Sequence, residues 1–316
     1  MTSTQLPKMA LLVGINYINT PYQLKGCIDD VANMRNFLID ARGYNTTNIT
    51  MLRDDLAVGS KSPTRTNIMT SLTNLIANSA NYSEIWFLYS GHGSQITKNL
   101  QGNVTQIDEV IVAVDAIQQN GTIQVNNFIL NEEIYNIIKN SKCPTVLLFD
   151  SCHSGSICDL KWYINYNITN NTFSTTSINS APILNPNIIV FSGCKDTQTS
   201  ADSFNQIEQI AVGAFTNAFL ESLRSDNHNV TLLQLYKDIC LNLSQNGFSQ
   251  NPVLSSSSQN PSFLFTRALN IGAPKDIVPP PSNTISLPPI SNTISSTRSI
   301  ITNNMMSIMT YNNHTI

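Results

Sequence analysis

An α/β fold with a mostly parallel sheet and helices on both faces is predicted by three features of the chain. Residues 9–15, 85–89, 145–149 and 188–191 are short apolar runs without polar alternation. Strands buried on both faces read this way. Segments with helical spacing separate them, as crossover connections require. Two of the runs end in glycine-bearing turns, one holding a histidine and the other a cysteine.

Residues 9–15 end at a turn and form the first strand. Residues 28–39 repeat apolar side chains at helical spacing. Residues 49–52 read as a short strand. Pro63 and Thr64 open a helix to about residue 77, with Thr64 as N-cap. Residues 85–89 and 110–114 are strands. Asn131, Glu132 and Glu133 cap a helix to about residue 139, the acids suiting the positive end of its dipole. Strands at 145–149 and 188–191 follow. Helices at 214–223 and 232–243 close the pattern, the latter capped by Thr231.

These elements predict one domain over residues 8–270, after a short extension at 1–7. Residues 160–187 are polar and rich in Asn and Thr, and read as a long loop of the functional or mobile kind. Residues 271–316 are rich in Pro, Asn and Ser, with Lys275, Asp276 and Arg298 as the only charges. Such a tail buries too little apolar surface to fold and reads as disordered.

Hydrophobic residues make up 41% of the 316 and charged residues 12%, with a net charge of −3. Nothing basic is concentrated enough for nucleic acid or for an anionic membrane. No signal peptide is read at the N-terminus, and no apolar stretch approaches the ~20 residues of a membrane helix. A cytoplasmic protein is expected. The six cysteines form no CxxC pair, so no zinc site is expected, and they read as reduced thiols.

The chemistry lies in two motifs. Tyr89-Ser90-Gly91-His92-Gly93 follows one strand, and Asp150-Ser151-Cys152-His153-Ser154-Gly155 follows another. Sites on parallel sheets lie beyond the carboxyl ends of the strands. If the two strands are neighbours, an imidazole meets a thiol. A cysteine titrates near ~8.5 and needs a base to act as a nucleophile at neutral pH. The same imidazole can then protonate a leaving amine. The amides of Gly93 and Cys152 are the natural oxyanion donors. His153 is adjacent to Cys152, but its side chain is expected to point away if the segment stays extended, and it is given no catalytic role.

The sequence resembles the metacaspases, the caspase-like cysteine peptidases. The resemblance runs over about residues 8–266. It rests on Leu24-Lys25-Gly26-Cys27-Ile28-Asp29-Asp30, Pro63-Thr64-Arg65, the two motifs above, and the block from Ser192-Gly193-Cys194-Lys195-Asp196 to Asp202. The spacing of the last two blocks is similar to that of type I members. The resemblance implies a caspase-like fold and a cysteine endopeptidase that cleaves proteins or peptides after Arg or Lys. It implies catalysis by Cys152 and His92, and a substrate pocket of Cys27, Asp30, Ser90 and Asp150. Paired carboxylates suit a guanidinium or ammonium group. A caspase-like preference for Asp would need a basic pocket instead.

No cofactor is required for this chemistry. Family members are often activated by calcium on an acidic loop after the histidine. This chain retains Asp108, Glu109 and Asp159 at matching positions, and other acids are missing. Weak or absent binding is therefore expected slightly ahead of a competent site, since calcium takes six to eight oxygens. Self-cleavage after the catalytic cysteine is also a family habit. Lys161 is the only basic residue in 160–187 and is the candidate, against a single-chain enzyme. A monomer is expected. The alternative function is a catalytically silent or latent caspase-like scaffold.

Overall fold

The computed structural model describes residues 5–100, 104–151, 158, 160–178, 183–193, 202–205, 210–248, 252–268 and 310–311. Cys152, His153, Asp159, Cys194 and nearly all of the tail lie outside these. The chain divides into two units, residues 1–94 with 109–274 and residues 95–108 with 275–316.

The first unit opens with β1 (Lys8–Gly14), α1 (Cys27–Asp40), β2 (Ile49–Arg53), α2 (Arg65–Ala77) and β3 (Glu84–Ser90). Next come β4 (Gly93–Leu100) and β5 (Val104–Val112), both of which run partly into the second unit, then β6 (Phe128–Leu130) and α3 (Asn131–Ile138). β7 (Thr145–Asp150), β8 (Trp162–Asn167), β9 (Thr172–Ser177) and β10 (Ile188–Ser192) follow. β11 (Asp202–Asn205) and β12 (Ile210–Gly213) lead into α4 (Ala214–Ser225). β13 (Val230–Thr231), α5 (Leu232–Gln245), β14 (Val253–Ser256) and β15 (Leu264–Phe265) complete it. In the second unit, β16 (Thr310–Tyr311) pairs in parallel with β4 at Thr97 and Lys98.

The main sheet has eight strands in the order β2-β1-β3-β7-β10-β14-β8-β9. The first five are parallel, and the last three join them antiparallel. The five parallel strands include all four apolar runs read from the sequence. β14, β8 and β9 are additions that the sequence reading did not place.

Ala10, Leu12, Trp86, Leu88, Val146, Leu148, Ile189 and Phe191 of the sheet form one core with α1, α4 and α5. The intervening residues Leu11, Val13, Phe87 and Phe149 are equally buried. Side chains alternate across a strand, so both faces are covered, and these runs show no polar alternation. α2 packs on β1, and α3 on α2. Thr64 caps α2 by accepting the Asn67 N–H at 3.2 Å, and Thr231 caps α5 by accepting that of Gln234 at 3.3 Å.

Three readings are corrected. Residues 160–187 are not simply a loop, because 162–177 form the β8–β9 hairpin. Aromatic and β-branched residues fill these strands, and Asn171 at φ 53° helps make the turn. The segment reads as polar because β9 is fully exposed at the sheet edge. Asn131 is the first residue of α3 rather than its cap. Its side chain accepts the N–H of Cys158 instead, while Glu133 accepts that of Leu130 at 3.0 Å. The strand read at 110–114 ends at Val112, and Val114 starts a 3-10 turn.

At the start of β3, buried Glu84 accepts bonds from Arg42 at 2.5 Å, Tyr44 at 3.0 Å and Trp86 at 2.9 Å. Burial and the Glu84 carboxylate hold the Tyr44 phenol well above its ordinary pKa. Glu84→Ala leaves a buried cation and two buried donors without this acceptor. It should cost about 3–5 kcal/mol in urea unfolding, and a loss under about 1 kcal/mol would show that the network is not needed.

Candidate active site

β3 and β7 are adjacent and parallel, with Ser90 opposite Asp150. Neighbouring strands lie about 4.8 Å apart. His92 therefore lies two residues beyond one member of this pair, and in the sequence Cys152 follows the other by the same number. Ser90 O accepts the Ile15 N–H at 3.0 Å, and Asp150 O accepts that of Gly91 at 3.2 Å. These bonds carry the ladder into both motifs.

His92 is held on several sides. Its backbone N–H donates to Tyr17 Oη at 3.0 Å, and its carbonyl accepts from Tyr89 Oη at 2.7 Å. Tyr17 Oη donates to Val112 O at 2.6 Å, and Val112 N–H donates back to His92 O at 3.1 Å. The Tyr17 ring lies 4.6 Å from the imidazole, centre to centre, at 37°. Gly91 has to be glycine here, since a Cβ would meet Tyr89 Oη at 2.8 Å.

His92 Nε2 lies 2.7 Å from Tyr22 O. A carbonyl only accepts, so Nε2 carries the proton and Nδ1 keeps its lone pair in the neutral ring. Burial pushes the imidazole below its ordinary pKa, and the bond to Tyr22 pulls the other way. At neutral pH this ring is a base. Gly93 follows at the start of β4.

The predicted pocket residues Asp30, Ser90 and Asp150 come together, all buried. Ser90 Oγ donates to Asp30 Oδ2 at 2.6 Å. The N–H of Gly213 donates to Asp30 Oδ1 at 2.8 Å, and that of Thr216 to Asp150 Oδ2 at 2.8 Å. Gly213 is the N-cap of α4 and has no side chain to serve as one. The two carboxylates thus occupy the positive end of that helix, where negative charge is favoured. A methyl group on Gly213 would sit 2.3 Å from Asp150 Oδ2 and 2.6 Å from Asp30 Oδ2, so one point touches both acids. Cys27 is buried one turn before Asp30, at the first position of α1. Its N–H donates to Asn16 Oδ1 at 3.0 Å.

Tyr17, Tyr22, Gly213 and Thr216 were not singled out from the sequence. A glycine immediately before a helix read from residue 214 was an available N-cap signal. The contribution of Tyr22 is a backbone carbonyl, which no side-chain pattern reports.

Glu109 is buried on β5 and Asp108 is half-buried. Consecutive residues of an extended strand project to opposite faces. Asp159 lies outside the described residues. Among the described residues no group of three or more His, Cys, Asp or Glu is arranged to hold a metal ion. Lys161 O accepts the Ile178 N–H at 3.0 Å, and Trp162 pairs with both Ser177 and Ser256. The bond after Lys161 is thus built into the sheet. No helix among the described residues is long and apolar enough to cross a membrane.

The fold is that of the caspase-like cysteine peptidases. Caspase-1 from Spodoptera frugiperda superposes with a TM-score of 0.53 at 12% identity, covering 83% of this chain and 90% of that one. A family model described as metacaspase, peptidase C14 domain, matches residues 8–161. Metacaspase-1 of Meyerozyma guilliermondii is 32% identical over 296 residues, covering 79% of this chain and 69% of that protein. Metacaspase-1 of Schizosaccharomyces pombe is 32% identical over 303 residues, covering 81% and 68%. The chain belongs to the metacaspase family and is a cysteine-type peptidase.

Because its folded-state pKa is depressed, His92 binds a proton less readily than the unfolded chain does. The folded state therefore loses stability as pH falls below the ordinary imidazole value of 6.5. Urea unfolding at pH 7.5 and 5.5 should show a larger loss for the wild type than for His92→Gln. Equal losses would mean that His92 is not held neutral.

Proposed function

We propose that the protein is an endopeptidase that cleaves after Arg or Lys through a His92–Cys152 dyad. The observation that carries this reading is the convergence of buried Asp30 and Asp150 on Gly213, with Asp150 paired to Ser90, two residues before His92. Two carboxylates in one desolvated place attract a single guanidinium or ammonium group, and the planar fork of Arg fits them best.

With Nε2–H donated to the Tyr22 carbonyl, Nδ1 accepts the proton of the Cys152 thiol. The thiolate attacks the scissile carbonyl carbon, and the carbonyl electron pair moves to oxygen, where the amides of Gly93 and Cys152 stabilise it. Collapse breaks the C–N bond, and the imidazolium gives its proton to the leaving amine. Water, deprotonated by the same ring, then attacks the thioester. The second collapse frees the new carboxyl end and the thiol. No metal takes part in these steps, and calcium is read as unnecessary to them.

The working form is a single chain. Proteases bind substrate as an extended, unpaired strand, and the Lys161–Trp162 bond is paired on both sides of β8. Cleavage there would require that strand to open first.

Matched fluorogenic peptides ending in Arg, Lys or Asp test the reading, with added calcium and with chelator. Arg and Lys peptides should be hydrolysed in both lanes and Cys152→Ala should be inactive. A folded wild type with no turnover in any lane favours a silent scaffold. Turnover confined to the calcium lane would show that the ion is required. Asp30→Asn should lower kcat/KM for the Arg peptide about 10²-fold. An Asp30→Asn enzyme with unaltered Arg turnover would remove the pocket from the mechanism.

A further inference from the structure

Tyr17 has its backbone in the left-handed region, at φ 51°. Non-glycine residues seldom adopt this conformation, and an aromatic one needs its surroundings to hold it there. The residue is fully buried, with its hydroxyl and ring committed to His92 as described. The N–H groups of the residues before and after it are held by one side chain. The N–H of Asn16 donates to Asp54 Oδ1 at 3.0 Å, and the N–H of Ile18 donates to Asp54 Oδ2 at 3.0 Å. Asp54 is the first residue after β2, which lies two strands away from β3 in the sheet.

The rest of the loop is built outward from this clamp. Thr20 donates to Tyr17 O through both its N–H, at 3.1 Å, and its hydroxyl, at 2.8 Å. Leu24 N–H donates to Asn16 O at 2.8 Å. Tyr22, whose carbonyl meets Nε2 of His92, lies between these ties.

We propose that Asp54 is a positioning residue for the peptidase reaction, fixing Tyr17 in its left-handed conformation and through it the orientation of the His92 imidazole. The assignment rests on the peptidase reading for its catalytic consequence but not for its geometry. A carboxylate offers each amide an acceptor oxygen. The amide of Asp54→Asn has one such oxygen, and its NH2 group must face the other N–H. One tether is lost, and Tyr17 is free to relax to negative φ. Its hydroxyl leaves the His92 N–H, and its ring uncovers the imidazole.

The chain has four histidines, so the imidazole signals can be followed individually by NMR, with His92→Gln identifying that of residue 92. In Asp54→Asn the His92 midpoint should move upward toward the ordinary value, because burial is what depresses it. With an Arg peptide, kcat should fall about tenfold or more while KM changes less than twofold, and the acid limb of kcat should move upward with the midpoint. A folded Asp54→Asn protein with an unmoved His92 midpoint overturns the proposal, whatever its activity. If the midpoint moves but the wild type hydrolyses no peptide, the positioning role stands and the peptidase reading fails. Should Asp54→Asn not fold, Tyr17→Phe reads the link from its other end. It keeps the ring and removes the hydroxyl that accepts the His92 N–H. Unchanged kcat and midpoint in that variant would also overturn the proposal.

Discussion

The parallel pairing of β3 with β7 is the constraint on which the site depends. Setting Ser90 against Asp150 starts two loops from adjacent positions, one leading to an imidazole and the other to a thiol. A slip of one residue would turn every side chain on one strand to the opposite face. Tyr89 would leave the His92 clamp, and Ser90 would leave Asp30. Register is strongly specified here because both strands are buried along their whole length. The packing that stabilises the fold is also what aligns the chemistry.

Around that pairing, elements distant in sequence each contribute contacts. The segment after β1 supplies Tyr17 and the Tyr22 carbonyl. α1 supplies Asp30, and the start of α4 supplies the amides of Gly213 and Thr216. The histidine is fixed mostly through its own backbone, by two phenols and Val112. The acids are fixed mostly by amides at a helix end. In both cases the phenols, carboxylates and amides that do the holding are buried and hydrogen-bonded, as groups removed from water must be.

The fold was legible where burial is two-sided. β1, β3, β7 and β10 are unbroken apolar runs, and the caps at Thr64 and Thr231 follow from local chemistry. The β8–β9 hairpin was not legible, because β9, an exposed edge strand of Thr and Ser around one Phe, has the composition of a loop. Asn131 looked like a cap because its residue type suits one, yet its side chain serves Cys158. Of the site, His92 stood out through its motif, and Asp30, Ser90 and Asp150 through the family resemblance. The Tyr22 carbonyl and the amides of α4 did not, since backbone groups leave no trace in residue identity. Asp54 was silent for another reason: the left-handed Tyr17 that it supports is visible only in three dimensions.

The carboxylates that line the proposed pocket also finish the helix that follows β12. Any lineage of substitutions that exchanged Asp30 or Asp150 for another side chain would strip α4 of acceptors for its first amides. An exchange for a basic residue would go further and set like charge against the helix end. Drift toward recognising acidic substrates would therefore pass through unstable intermediates. With the pocket as proposed, substrate preference in this scaffold is tied to foldability, and the two must evolve together.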